Sequence, residues 1–273
     1  MIPIALQIIP HVGVRALVRV AAEAERLGYD TLWLSDEGFM VDPFTVLGLI
    51  ADKTSRIRLG VVTNPYTRHP AMTAAALATL HQMSGERAAL CYVAGGSLVL
   101  DPIGLSRPQP VQTVQEAITL TRHLLGGEKV TWQGTVFQLK EAQLMVRVDS
   151  IPPLHVAARG AKMLEMAARH ADAVWTGTDE ATIQAVRAAA DGRPLKLICG
   201  EHPPTAAEAA SALSKAVQQD GGAGEVAASE DFAAWTARVR QQTSRMDSLL
   251  IVTWEDNPDA LLAMLGSVKE ALA

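Results

Sequence analysis

The chain has 273 residues, 49% of them hydrophobic and 19% charged, which is enough apolar surface for a large core and too little charge for a disordered chain. Its 24 Lys and Arg against 29 Asp and Glu give a net charge of −5 with no basic stripe, so nucleic acid is excluded as an expected partner. No apolar run reaches the ~18 residues that would span a bilayer, and neither cysteine lies in a CxxC or Cys/His metal spacing.

The opening MIPIALQIIP lacks a basic region and reads as a first strand over 3–9 rather than as a leader, which predicts a cytoplasmic protein. Val14, Leu17, Val18, Ala21, Ala24 and Leu27 then recur at helical spacing over 13–28. The unit repeats as strand 31–35 with helix 43–53, strand 57–62 with helix 70–83, and strand 88–93 with helix 111–125. Next, KVTWQGTVFQL reads as a hairpin turning on Gln133 and Gly134. Alternation resumes with strand 153–157, helix 160–170, strand 172–176, helix 179–190 and strand 194–199. The Ala- and Glu-rich stretch 203–228 predicts a helix and a loop, followed by helix 229–243, strand 248–253 and a helix from Pro258 to the end.

Eight short, almost wholly apolar strands suit parallel strands buried on both faces. No GxGxxG follows the first strand, which disfavours an open dinucleotide-binding sheet. The expectation is an α/β fold, a (β/α)8 TIM barrel formed by 1–273 as one domain, with a β-hairpin insertion after the fourth βα unit.

In such barrels reactive residues sit at the C-terminal strand ends. That rule selects Gln7 and His11; Ser35, Asp36 and Glu37; Thr63, Asn64, Tyr66, Arg68 and His69; Ala94, Gly95, Gly96 and Ser97; Arg159 and Gly160; Thr176 to Thr178; Glu201 and His202; Trp254 and Glu255. Of the adjacent carboxylates only one can face the mouth, and Asp36 is taken as the partner of a cofactor ring. The helix opening at Arg159, Gly160, Ala161 and Lys162 brings free amides and two cations to one point, as a phosphate requires. Gly95 and Gly96 let a flat ring approach the backbone. No His pair has metal spacing with a carboxylate, so no metal is expected.

GYDTLWLSDEG, DPFTVLGLIADKTSRIRLG, VTNPYTRHPAMTAAALATL, MSGERAAL, AGGS and VAARGAKMLEMAARHADAVW, in this order over residues 1–176, resemble the blocks of the bacterial luciferase-like superfamily. The nearer branch is that of F420-dependent oxidoreductases similar to methylenetetrahydromethanopterin reductase. The resemblance implies hydride transfer between F420 and a small organic substrate. FMN is the alternative cofactor, as in a luciferase-like monooxygenase, and a non-catalytic cofactor-binding homologue is a further alternative. It also implies that Asp36 and the backbone of Val61, Val62 and Thr63 contact the cofactor, and that the Arg159–Gly160–Ala161 turn cradles its phosphate tail. Asn64, Gly95, Ser97, Lys162 and Thr176 complete the expected cofactor set, with Asp36 and Glu37 as the expected catalytic pair. Homodimerisation through flank helices such as 70–83 is a further implication.

The chain departs from the family's pattern in three places. Glu37 stands where the family often has His, Val61 alone separates Gly60 from Val-Thr-Asn where the family has two residues and a bulge, and CYVAG replaces a glycine-rich turn, so that Tyr92 and Val93 are expected to crowd the site. The segment that covers the substrate in the family is also shortened after the sixth strand.

Overall fold

The computed structural model describes residues 2–204 and 231–273. The strands β1 Ile4–Ile8, β2 Thr31–Ser35, β3 Arg58–Thr63, β4 Ala88–Tyr92, β7 Leu154–Ala157, β8 Ala173–Thr176, β9 Lys196–Glu201 and β10 Ser248–Thr253 close into a barrel. Every neighbouring pair in it is parallel, in the order β1-β10-β9-β8-β7-β4-β3-β2. Around it lie α1 Val14–Arg26, α2 Pro43–Lys53, α3 Pro70–Met83, α5 Pro110–Leu125, α6 Ala161–His170, α7 Glu180–Ala190, α8 Phe232–Gln242 and α9 Pro258–Leu272. A single turn, α4 Ser97–Leu100, follows β4. The helix and loop expected over 203–228 lie almost wholly outside the described residues. Among the described residues, no helix is long and apolar enough to cross a membrane.

Local chemistry accounts for the helix starts. Pro43, Pro70, Pro110 and Pro258 occupy first-turn positions, where a missing N–H costs nothing. Asp42, His69, Asp179, Asp231 and Asn257 accept first-turn amides of α2, α3, α7, α8 and α9. The outer core between barrel and helices carries residues such as Leu6, Leu32, Leu59, Leu90 and Ile251, all essentially inaccessible.

Inside the barrel Trp33 and Trp175 meet edge to face at 4.7 Å between centroids, among the small Ala5, Ala89 and Ala173. Trp175 Nε1 donates to His155 Nδ1 at 3.0 Å, and burial pushes the His155 imidazole down to about 3, so it stays neutral. Gly60 faces Trp33 so closely that an added Cβ would penetrate the indole ring.

The hairpin, β5 Val130–Gln133 with β6 Gln138–Ala142, is present where expected, but its loop is 134–137 rather than the two-residue turn on Gln133 and Gly134. The reason is Glu116 of α5, whose carboxylate accepts the amides of Thr135, Val136 and Phe137 and the side chain of Gln112. Those amides would otherwise need cross-strand acceptors, so the loop opens around the carboxylate. Lys196, expected in mid-strand, is the exposed first residue of β9, at the end of the barrel away from the mouth. Tyr92 does not crowd the mouth: it is buried in the outer core, and its hydroxyl meets Thr121 Oγ1 at 2.8 Å.

Gly60→Ala should lower unfolding free energy by about 3 kcal/mol in urea titrations. Gly266→Ala, in α9 with open space around it, should raise it by about 0.5–1 kcal/mol. For Glu116, burial raises the carboxyl's pKa, but the bonds from Gln112, Phe137, Val136 and Thr135 outweigh it and hold the group below its ordinary value. A carboxylate with a lowered folded pKa stabilises the fold above its unfolded value, near 4.3, and loses that contribution as pH falls through the folded value. Glu116→Gln should therefore cost stability at pH 7 and flatten the loss of stability below about pH 4.5, as read from thermal midpoints across pH.

Candidate functional site

The mouth is built by the segments that follow the strands. Ser35 ends β2 facing the lumen, where its Oγ accepts from Gln7 Nε2 at 2.9 Å. Asp36 is the next residue and leans the other way, onto the β2–β3 seam. There Thr63 Oγ1 donates to Asp36 Oδ2 at 2.7 Å, and Asp36 N donates to the carbonyl of Val62 at 2.8 Å. Asp36 is therefore held from both its backbone and its carboxylate, and it lines a cleft of about 390 Å3. Gly38, Phe39, Asp42, Thr67, Arg68, Val99 and Ile103 complete the cleft lining.

β3 runs in unbroken register, Leu59 to Thr63 against Ala88 to Tyr92 and Leu59 to Val62 against Leu32 to Ser35, so the shortened block forms a regular strand without a bulge. Val61 points into the outer core, Val62 into the lumen, and Thr63 to Asp36. The carbonyls of Val62 and Thr63 are taken by the amides of Asp36 and Val93.

Most of TNPYTRHP proves architectural. Buried Asn64 accepts the amides of Tyr66 and Thr67, each at 3.0 Å, through Oδ1. The Tyr66 hydroxyl donates to the carbonyl of Pro108, and His69 Nδ1 accepts from Ala71 N while its ring meets Phe137. Thr67 and Arg68 are left to the cleft, and Arg68 lies over the Phe44 ring and 3.8 Å from Asp42. Gly95, at φ +80°, lies so close to Leu100 that a side chain there would strain both backbone and packing. Its carbonyl accepts from Arg107 at 2.6 Å, and Ser97 opens α4 two residues later.

Next round the rim, after β7, α6 is preceded by Gly160 with no side chain capping its first-turn amides, and Arg159, Gly160, Ala161 and Lys162 are all exposed. Thr176 ends β8 beside them, half-buried. Asp36 and the turn after β4 thus share one arc of the rim, and the α6 turn and Thr176 the next. Glu37 is half-buried beside Asp36. Among the described residues no group of three or more His, Cys, Asp and Glu could hold a metal ion.

The sequence reading did not single out Phe39, Asp42, Val99 and Ile103 as lining. The signal for two of them is visible in hindsight: Phe39 and Ile103 are large apolar residues in loops, and in the structure they remain 69% and 46% exposed.

The profile of the luciferase-like monooxygenases matches residues 3–265. A 5,10-methylenetetrahydromethanopterin reductase of Methanolobus tindarius is 35% identical over 170 residues, which are 62% of this chain and 52% of that protein. An F420-dependent glucose-6-phosphate dehydrogenase of Microbacterium testaceum (strain StLB037) is 30% identical over 173 residues, 59% of this chain and 52% of that protein. The chain thus spans about half the length of these relatives. The structure of the coenzyme F420 dependent tetrahydromethanopterin reductase from Methanopyrus kandleri superposes with a TM-score of 0.79 at 21% identity, over 100% of this chain and 99% of that one. A barrel in this strand order, with a hairpin after its fourth unit and a profile match over nearly its whole length, places the chain in the family of luciferase-like monooxygenases.

Proposed function

We propose that this chain is an oxidoreductase that moves a hydride between the deazaflavin F420 and a small organic molecule, working in the cytoplasm as one barrel domain formed by residues 1–273. The observation that carries the reading is the pairing, on one rim, of a carboxylate fixed by Thr63 with an uncapped helix start flanked by Arg159 and Lys162. A ligand with a polar ring at one end and an anionic tail at the other matches that donor set. The name of the glucose-6-phosphate dehydrogenase relative supports the choice of F420.

When bound, the deazaflavin supplies the hydride chemistry. The protein's part is to hold and orient. Asp36 would accept a ring N–H or hydroxyl, with Glu37 as the second carboxylate at the reacting end. The strand ends Val61, Val62, Thr63 and Asn64 form one wall, and the Gly95 turn with Ser97 lets a ring lie against main chain. The amides after Gly160, with Arg159, Ala161, Lys162 and Thr176, take the tail. FMN, whose ring and phosphate suit the same donors, is the second reading, and the description of the matched family as monooxygenases favours it.

Fluorescence titration of the purified protein with F420 and with FMN tests this. Asp36→Ala and Arg159→Ala should each weaken F420 binding about tenfold, a loss of roughly 1.4 kcal/mol. Thr63→Val should weaken it several-fold by freeing the Asp36 carboxylate. Preference for FMN would move the reading to a monooxygenase, and binding of neither at tens of micromolar would overturn it in favour of a homologue without this chemistry.

We further propose a homodimer through the α2–α3 flank, where Leu49, Met72 and Met83 stand 51%, 62% and 59% exposed. Leu49→Glu combined with Met72→Glu should convert a dimer to a monomer in sedimentation velocity, and a monomeric unmodified protein would end the proposal.

A further inference from the structure

The loop between β3 and α3, residues 64–69, is pinned at both ends. At its front, Asn64 Oδ1 accepts the amides of Tyr66 and Thr67, and the Tyr66 hydroxyl donates to the carbonyl of Pro108. At its rear, His69 precedes α3, and its Nδ1 accepts the amide of Ala71 at 3.1 Å. The His69 carbonyl takes the amides of Met72 and Thr73, and its ring meets Phe137 of the hairpin loop edge to face at 5.2 Å. Thr67 and Arg68, the two residues of this loop that line the cleft, lie between the pins.

The pins differ in chemistry. The Asn64 carboxamide does not titrate, whereas the His69 imidazole does. A main-chain amide can only donate, so His69 Nδ1 carries a lone pair, and the ring that caps α3 is the neutral form with its proton on Nε2. A second proton would turn an N–H toward the Ala71 N–H and set a cation at the positive end of the helix. His69 is exposed, so solvent protons reach it. Partial burial of the ring lowers its pKa below the ordinary 6.5, and the cap and the helix end act in the same sense. The charged groups around it have other partners. Arg68 lies over the Phe44 ring and 3.8 Å from Asp42, and Glu116, behind Phe137, accepts the amides of the hairpin loop. Neither carboxylate is bonded to the imidazole.

We propose that His69 is a positioning residue of the cleft: its neutral ring holds the loop in the form that sets Thr67 and Arg68 beside Asp36, and a proton on Nδ1 releases that end and weakens ligand binding. This rests on the reading of the cleft as part of the cofactor site, and it adds proton control of that site. The sign follows from the cap. A ring that takes up its proton less readily in the folded protein caps fully above its ordinary value of 6.5, and the cap is lost as pH falls below it. Affinity should therefore be highest near pH 7.5 and decline toward pH 5, by about fivefold, the contribution of one helix cap expressed as a ratio.

The first test needs no ligand. In the unmodified protein labelled with 15N, with the imidazole assigned through His69→Asn, long-range 1H–15N correlation at pH 7.5 should place the His69 proton on Nε2. On lowering the pH, the Ala71 amide and the Arg68 Nε–H should shift with the His69 titration, at a midpoint below 6.5. A proton on Nδ1 at pH 7.5, or an Arg68 signal that ignores the titration, overturns the proposal. The second test is fluorescence titration with F420 at pH 7.5 and pH 5.0. His69→Asn, whose carboxamide caps a helix without titrating, should bind within twofold of the unmodified protein at pH 7.5 and about fivefold tighter than it at pH 5.0. Comparing the two at each pH cancels any titration of F420 or of Asp36. His69→Phe, which keeps a ring against Phe137 but has no acceptor, should bind about fivefold more weakly than the unmodified protein at pH 7.5. Equal pH dependence in the unmodified protein and His69→Asn overturns the proposal. If F420 fails to bind at either pH while Ala71 and Arg68 follow the imidazole, the cofactor reading falls and the positioning role stands. If F420 binds and those signals are silent, the reverse holds.

Discussion

The contact of Trp33 with the bare backbone of Gly60 is the constraint on which the rest of this barrel depends. An eight-stranded barrel has an interior just wide enough to be filled by side chains. Here two indoles and an imidazole fill it, surrounded by Ala5, Ala89, Ala173 and Gly60. Large and small residues therefore divide the lumen unequally, and β3 must lack a side chain where the Trp33 ring lies. Trp175 is then turned edge-on to Trp33 and tethered by His155, and Ser35 and Gln7 pair in the next step up. The floor under the mouth is thus aromatic and closely packed, and the rim residues are positioned by the strand ends above it.

Below that floor, charged side chains are spent on main-chain groups. Glu25 accepts the amides of Ser55, Arg56 and Ile57, while Arg87 donates to the carbonyls of Ala51, Thr54, Ile57 and Ser84, so one turn between α2 and β3 is held from both sides. Asp172 and Asp247 accept the amides of Leu154 and Leu197, among the first residues of β7 and β9. At the opposite end the pattern changes. The α6 amides have no side-chain cap, and His202 Nδ1 and Trp254 Nε1 are buried without a partner. The main-chain anchors named here thus gather at the N-terminal face, while the uncapped helix start lies at the C-terminal face, where a β/α barrel carries its site.

How much of this was readable from the chain depends on whether the cause was local. Strand 31–35, helices 43–53 and 70–83 and strand 248–253 have the bounds the residue pattern predicts, because Pro at the helix start, a polar cap or an apolar run of fixed length decides them. The hairpin loop was misread because its determinant, Glu116, lies nearly twenty residues upstream. The direction of Tyr92 was misread because AALCYV is apolar throughout and so has no alternation from which to tell inside from outside. The regularity of β3 follows from its shortened block, but only pairing with β2 and β4 displays it. Asp36 could be selected because it ends a strand. Its anchor Thr63, although a candidate in its own right, could be linked to it only once β2 and β3 were laid side by side.

The same logic bears on how the mouth is closed to water. Hydride transfer needs a fixed ring and a dry approach rather than a nucleophile, so the demand falls on the rim. Its β2 and β4 loops expose Phe39, Leu98, Ile103 and Leu105, 38–69% accessible, beside the carboxylates of Asp36 and Asp42. An apolar edge above a polar base is unfavourable in water and is relieved when a flat ligand lies across it, since the ligand's own surface then covers both. Water exclusion on this arc would be supplied by the bound molecule.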